Sequence, residues 1–261
     1  MARELSKLVL ALLIVQTAQG CTPPAKGNEM AAPVLRVAAA ADLQFAFAEI
    51  GALFEKETGK KAIFIFGSTV ALAAQVENGA PADVFAAADV RTLNDLGSKG
   101  LLIKDTQRSY AFGRIVLVSN RKAGLSLTSL RDLLDPGVMH IAIANPQHAP
   151  YGLAAQQALQ AVGVWEQVRP KLVYGENIRQ ALQFVQTGNA DAGIVALSIA
   201  DVPEVTYAPI GQELYQSLEQ SIAVLRGTQN EESAREFIAF VDGPAGRAIL
   251  RKYGFRLPGE P

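Results

Sequence analysis

The chain has 261 residues, 49% of them hydrophobic, enough for a sizeable core in one or two domains. Its 24 Lys and Arg nearly balance its 25 Asp and Glu, which excludes a basic face for nucleic acid, a polybasic membrane segment and an acidic tail. An anion bound by such a chain is held by local geometry rather than by bulk charge.

Residues 1–20 read as a signal peptide. Arg3 and Lys7 precede the apolar run LVLALLIVQTA, which is short for a membrane span. Cys21 follows, the only cysteine, and residues 21–33 form a polar, Pro-containing tether. The QGC step resembles a bacterial lipoprotein cleavage box, which implies lipidation of Cys21, although Ala18 stands where leucine is usual and Gln19 is atypical. The plainer reading is a secretory signal cut near Gly20, with Cys21 a free thiol. Either way the mature chain is expected in the periplasm or at the outer face of the cytoplasmic membrane. Losing Arg3, Lys7 and Glu4 leaves 22 basic against 24 acidic residues, a net charge of −2.

From residue 34 onward strands and helices alternate. VLRVAAAA (34–41) predicts a strand. The helix after it carries Phe45, Ile50 and Phe54 on one face and closes at Gly59. KAIFIF (61–66), a helix ending at Gly79, ADVFAAA (82–88) and a third helix complete a β-α-β-α-β-α run, the pattern of a parallel sheet with crossover helices. RIVLVSN (114–120), a short helix in SLTSLRDLLDPG, HIAIAN (140–145), a helix closed by Gly163, KLVYG (171–175), another helix and DAGIVAL (191–197) predict a second unit. SLEQSIAVLRG (217–227) reads as a long strand leading back, and two helices finish the chain. The expected class is α/β with two lobes, each a mostly parallel sheet flanked by helices, around a cleft. Residues 34–113 plus 218–261 form the first lobe and 114–217 the second, to within about eight residues. Clefts between such units, at the carboxyl ends of strands, are favoured ligand positions.

Motifs for catalysis are missing. The only histidines, His140 and His148, form no HExxH pattern, and one cysteine cannot build a Cys-rich zinc site. There is no G-x-S-x-G, no Walker loop and no G-x-G-x-x-G. No direct metal coordination by side chains and no cofactor are expected. The chain does repeat one kind of junction, a strand passing to a helix through small or hydroxylated residues. It occurs at Ala41-Asp42, Ser68-Thr69, Tyr151-Gly152 and Asn177-Ile178. Helix N-termini carry unpaired N–H groups and partial positive charge, so several converging on one cleft make an anion site without a cationic side chain. Taken singly, each junction is explained as well by ordinary capping and turn chemistry.

Together, VAAAADLQFAFAEI, FGSTVALAAQVENGAPADVFAAAD, NPQHAPYGLAAQQALQAVG, GENIRQALQFVQTGNADAGIVAL and KYGF resemble the molybdate-binding proteins of ABC importers, of the periplasmic solute-binding superfamily, from about Val34 to Phe255. The resemblance implies a periplasmic-binding-protein-like fold closing on one molybdate or tungstate, a permease and an ATPase as partners, and a monomer. By position, the first serine of the family site falls at Ala41 or Asp42 and the second at Thr69, with Ser68 adjacent. An alanine of the family falls at Tyr151, a valine at Ile178 beside Asn177, and a tyrosine at Ala196. Hydroxyls are therefore lost at Ala41 and Ala196, and Tyr151 supplies one from a neighbouring loop.

Asp42 is the discordant member. At an effective dielectric of ~20, unit charges ~5 Å apart interact by roughly 3 kcal/mol, and a dianion doubles this repulsion. Asp42 is therefore expected to cap its own helix, its carboxylate turned away from the ligand. Three other readings stand beside the main one: a sulfate or phosphate binder, phosphate favouring a carboxylate acceptor; an exported enzyme working through Ser68 or His148; and a lipoprotein that kept the fold and lost the ligand.

Overall fold

The computed structural model describes residues 34–260. The expected signal peptide, tether and Cys21 lie outside the described residues. The first part of the chain runs β1 (Leu35–Ala40), α1 (Gln44–Thr58), β2 (Ala62–Gly67), α2 (Thr69–Glu77), β3 (Val84–Ala87), α3 (Val90–Ser98) and β4 (Arg108–Gly113). The second part runs β5 (Ile115–Asn120), β6 (Ile141–Ala144), α4 (Pro150–Ala161), α5 (Trp165–Val168), β7 (Leu172–Gly175), α6 (Ile178–Thr187), β8 (Ala192–Ala196), α7 (Leu197–Ala200) and β9 (Val205–Pro209). The chain then returns with β10 (Leu218–Val224), α8 (Glu231–Asp242) and α9 (Pro244–Lys252).

Two five-stranded sheets result, ordered β2-β1-β3-β10-β4 and β7-β6-β8-β5-β9. Each is mixed: β1 pairs parallel with β2 and β3, and β6 with β7 and β8, whereas β10 and β5 run antiparallel to both their neighbours. The parallel strands β3, β6 and β8 are buried along their whole length, and continuous apolar runs are what strands covered on both faces require. Only Arg114 separates β4 from β5, so the chain passes from one sheet to the other almost without a loop.

Sequence periodicity misses two strands, β4 and β9, and both are sheet edges. Their burial is irregular and partly polar-facing, so neither shows the apolar run of a central strand. The helix expected within 126–137 shortens to a 3-10 turn at Leu130–Leu134. Asp132 there accepts from the N–H groups of Thr128 and Ser129, and Pro136 follows closely.

An aromatic cluster fastens one face of the first sheet. Phe237 of α8 meets Phe54 and Phe47 of α1 edge-on, at 5.3 and 5.9 Å between ring centroids. Burying each ring contributes about 2–3 kcal/mol, with roughly 1 kcal/mol more from its edge-to-face geometry. The other face carries a separate core of Leu72, Phe85, Leu93 and Leu96 under α2 and α3. Among the described residues no helix is long and apolar enough to cross a membrane.

Candidate functional site

The register of the first sheet creates the site. Ala40 pairs with Gly67 at the carboxyl ends of β1 and β2. The turn Ala41–Leu43 and the start of α2 therefore lie side by side. Thr69 is buried, and its Oγ1 accepts from the N–H of Ala88 just beyond β3, at 3.0 Å. The ends of β2 and β3 are thus tied together through one hydroxyl. With its acceptor side engaged, the Thr69 O–H proton is left to donate.

The second lobe closes over these turns. The Val70 N–H, in the first turn of α2, donates to the His148 carbonyl at 3.2 Å. Ser68 Oγ and His148 Nδ1 are 3.1 Å apart, and Glu176 Oε2 stands 3.8 Å from the other ring nitrogen. Ser68 makes no capping bond with its side chain; its hydroxyl serves the contact between lobes instead. Ser198 of α7 donates to the main-chain carbonyl of Asp42 at 2.7 Å.

At the α6 junction the two named residues divide the work. Asn177 Oδ1 accepts from the N–H groups of Arg179 and Gln180, and the Asn177 carbonyl from Ala181, which is ordinary N-capping. The Ile178 N–H is left in that turn without a protein acceptor among the described residues. Ile178 itself is buried.

The centre of the site is a buried polar cluster. Tyr151, on the first turn of α4, donates its O–H to Asp42 Oδ2 at 2.9 Å. Gln220 of β10 donates from Nε2 to the same oxygen and, at 3.0 Å, to the Tyr151 hydroxyl. Tyr110 of β4 donates to Gln220 Oε1 at 2.7 Å, which fixes the orientation of the amide. Asp42 Oδ1 is buried with no hydrogen-bond partner. Burial pushes the Asp42 carboxyl up to about 6, against the opposing pull of the Gln220 and Tyr151 bonds. Burial first, and then the Asp42 charge, hold the Tyr151 and Tyr110 hydroxyls well above their ordinary range, so both remain neutral donors.

Two glycines make room for this arrangement. A Cβ on Gly113 would come within 2.1 Å of the Tyr151 hydroxyl, and one on Gly152 within 2.1 Å of the Ala144 carbonyl. The first glycine lets Tyr151 reach Asp42. The second lets α4 start directly against β6.

The expectation that Asp42 caps its own helix is corrected here. The turn at Ala41–Leu43 has no side-chain cap bond, and the carboxyl points across to Tyr151 and Gln220 instead. The physical reason is burial: at 1% exposure a carboxyl takes whatever donors the fold places beside it. Ala41 lies buried in the same turn, and Ala196 ends β8 two residues before Ser198. Sequence reasoning overlooks Gln220, Tyr110, Ser198 and Gly113. Gln220 gives no signal of its own, because it sits between Glu219 and Ser221 in the polar half of the strand LEQSIAV.

Neither of two open cavities is lined by Asp42, Tyr110, Tyr151 or Gln220. One of about 170 Å³ lies among Asp89, Arg91, Pro150, Gln157 and Glu219. A larger one of about 450 Å³ lies around Arg36, Asp83 and Asn230, where Asp83 ties the Arg36 N–H to Thr228.

Residues 35–256 match the model of the bacterial extracellular solute-binding protein family. The chain belongs to that family. Among solute-binding proteins it is similar to the molybdate-binding protein ModA of Azotobacter vinelandii, 35% identical over 98% of this chain and 100% of the relative. It is also similar to ModA of Rhodobacter capsulatus, 34% identical over 90% and 91%. The solved structure of the Azotobacter vinelandii periplasmic molybdate-binding protein superposes with a TM-score of 0.81 at 30% identity, covering 86% of this chain and 99% of that one. The expected two-lobed α/β class and the family resemblance agree with these likenesses.

Proposed function

We propose that this protein captures molybdate or tungstate outside the cytoplasm and delivers it to the permease and ATPase of an ABC importer. One observation carries the reading. Neutral donors from both lobes stand at helix starts with no cation bonded to them: the Thr69 hydroxyl and the Ile178 N–H, both on buried residues, with the Tyr151 hydroxyl committed to Asp42 on the buried start of a third helix. Such donors suit a fully ionised tetrahedral dianion, whose oxygens only accept. The names of the two ModA relatives support the same ligand.

On this reading the protein does no chemistry on its ligand and has no cofactor. The molybdenum or tungsten travels as its oxyanion, touched through oxygen. Ala41, Asp42, Ser68, Thr69, Tyr151, Asn177 and Ile178 form the binding residues, with Asn177 acting through the cap that frees the Ile178 N–H. The protein works as a monomer and needs no nucleic acid. Lipid on Cys21 would hold it at the membrane beside the permease.

A second reading, phosphate, draws on Asp42, because a carboxylate oxygen without a donor suits a ligand that brings its own proton. Titration calorimetry against molybdate, tungstate, sulfate and phosphate decides between them. Binding of the first two alone is the expected result, and preference for phosphate or sulfate rejects the assignment.

A further inference from the structure

Asp42 carries one oxygen too many for its surroundings. Oδ2 receives two protein donors, the Tyr151 O–H and a Gln220 N–H. Oδ1 is buried and receives none. An ionised carboxyl would leave Oδ1 negatively charged, out of water and without a donor, an arrangement folded proteins avoid. A neutral carboxyl keeps Oδ2 as the acceptor for both protein donors and places its proton on Oδ1. That O–H is then a donor for which the protein provides no acceptor.

The surroundings favour the neutral form. Around the Ala41–Leu43 turn the nearest ionisable groups are Tyr151 on α4 and Tyr110 on β4, both kept protonated by burial. Tyr215 lies beyond Tyr151, with its hydroxyl on the Ile115 N–H. The charged groups on neighbouring elements have other partners. Arg179 of α6 bonds Gln186 and lies over the Phe45 ring, 5.5 Å from its centroid. Glu49 of α1 pairs with Lys252 and Tyr253. Glu219 of β10 accepts from Ser109, and Arg114 donates to the Gly254 carbonyl. Glu55, Lys56 and Glu57 are exposed at the far end of α1. His148 is engaged with Ser68. No cation bonds Asp42 among the described residues.

We propose that Asp42 binds the oxyanion as a neutral carboxylic acid, donating from Oδ1 to a ligand oxygen while Tyr151 and Gln220 hold Oδ2. This deepens the proposed function and rests on it. Anion capture is then coupled to proton uptake. The acid supplies the hydroxyl that Ala41 lacks, and at a pH where free Asp42 is ionised, each bound dianion brings one proton with it. The balance is simple: the proton comes from solvent, stays on Oδ1, and returns to solvent when the anion leaves. Selectivity follows as well, because a site whose groups all donate rejects an oxyanion that must itself donate.

The test is calorimetry of the protein with molybdate between about pH 6 and pH 8.5, in buffers of different ionisation heat. For the native sequence the Kd rises toward about tenfold per pH unit at the alkaline end, with close to one proton taken up per anion. In Asp42→Asn the amide donates without titrating. Its Kd is flat with pH and tighter than the native protein's at the alkaline end, with no proton uptake. A flat native profile without uptake overturns the proposal. So does loss of molybdate binding in an Asp42→Asn protein whose melting shows it folded, since that assigns Asp42 an acceptor role. Loss of the uptake in His148→Gln moves the proton to His148 and also overturns it. If Asp42→Asn fails to fold, the native and His148→Gln proton counts decide. No binding of molybdate, tungstate, sulfate or phosphate by the native protein at any pH rejects the proposed function itself, and this inference with it.

Discussion

Tyr151 and Asp42, 109 residues apart in the chain and on different lobes, share a 2.9 Å hydrogen bond with both side chains buried. The bond makes Asp42 part of the contact between lobes as well as part of the candidate anion site. Its protonation state therefore bears on stability and on binding together.

The stability consequence has a definite sign. The Asp42 carboxyl is raised from 3.8 to about 6 by burial. Between those values the folded protein holds a proton that the unfolded chain has released. The favourable contribution of the neutral acid is thus complete below pH ~4 and lost as pH rises through ~6. Asp42→Asn is expected to melt higher than the native protein above pH ~6.5, by at most about 3 kcal/mol, with the difference vanishing near pH ~4. Thermal melts across that range check it, and an Asn variant less stable at neutral pH contradicts it.

Gly113 is expected to be intolerant for a reason specific to Tyr151. A Cβ there would meet the Tyr151 hydroxyl at 2.1 Å and its ring carbon Cζ at 2.8 Å. Gly113→Ala should destabilise by about 1–3 kcal/mol through overpacking. Tyr151→Phe in the same chain should recover part of that loss, because it removes the nearer atom. Equal and additive losses in a double-mutant cycle would show that the two positions do not meet.

Thr69 has a hydroxyl proton to offer a ligand, and Tyr151 gives its own to Asp42 and so holds that carboxyl in place. Thr69→Ala and Tyr151→Phe should each weaken molybdate binding by about tenfold, the equivalent of ~1.4 kcal/mol for a lost donor. Thr69→Ala also strands the Ala88 N–H, so Thr69→Ser, which keeps the hydroxyl, is expected to retain most of the affinity. Unchanged affinity in both deletion variants would remove these residues from the site.

Ser68 and His148 form a contact at the mouth between lobes, with the backbone bond from Val70 beside it. His148→Ala removes the side-chain contact and leaves the backbone bond. Dissociation of bound anion should quicken by roughly three- to tenfold, with a smaller change in the association rate, as expected for a group engaged only when the lobes meet. Stopped-flow displacement measures both. A turnover activity abolished by His148→Ala or Ser68→Ala would instead revive the enzyme reading.

The sequence by itself determined the class of fold and marked several residues of the candidate site. Continuous apolar runs at β3, β6 and β8 declare strands buried on both faces, and the helices between them keep one apolar face. Ser68, Thr69, Tyr151 and Ile178 stood out because a strand handing over to a helix leaves a local signature that needs no distant partner. Edge strands β4 and β9 lack that signature, since an edge is buried on fewer sides. The tertiary structure decided what the sequence could not: which donors meet Asp42. Gln220, Tyr110 and Tyr151 reach that carboxyl from β10, β4 and α4, and Gly113 clears the path. From local chemistry alone, an aspartate at a helix start reads as a cap. In this closed interface the donors that reach the carboxyl come from Tyr151 and Gln220, and the fate of its charge passes to residues from distant parts of the chain.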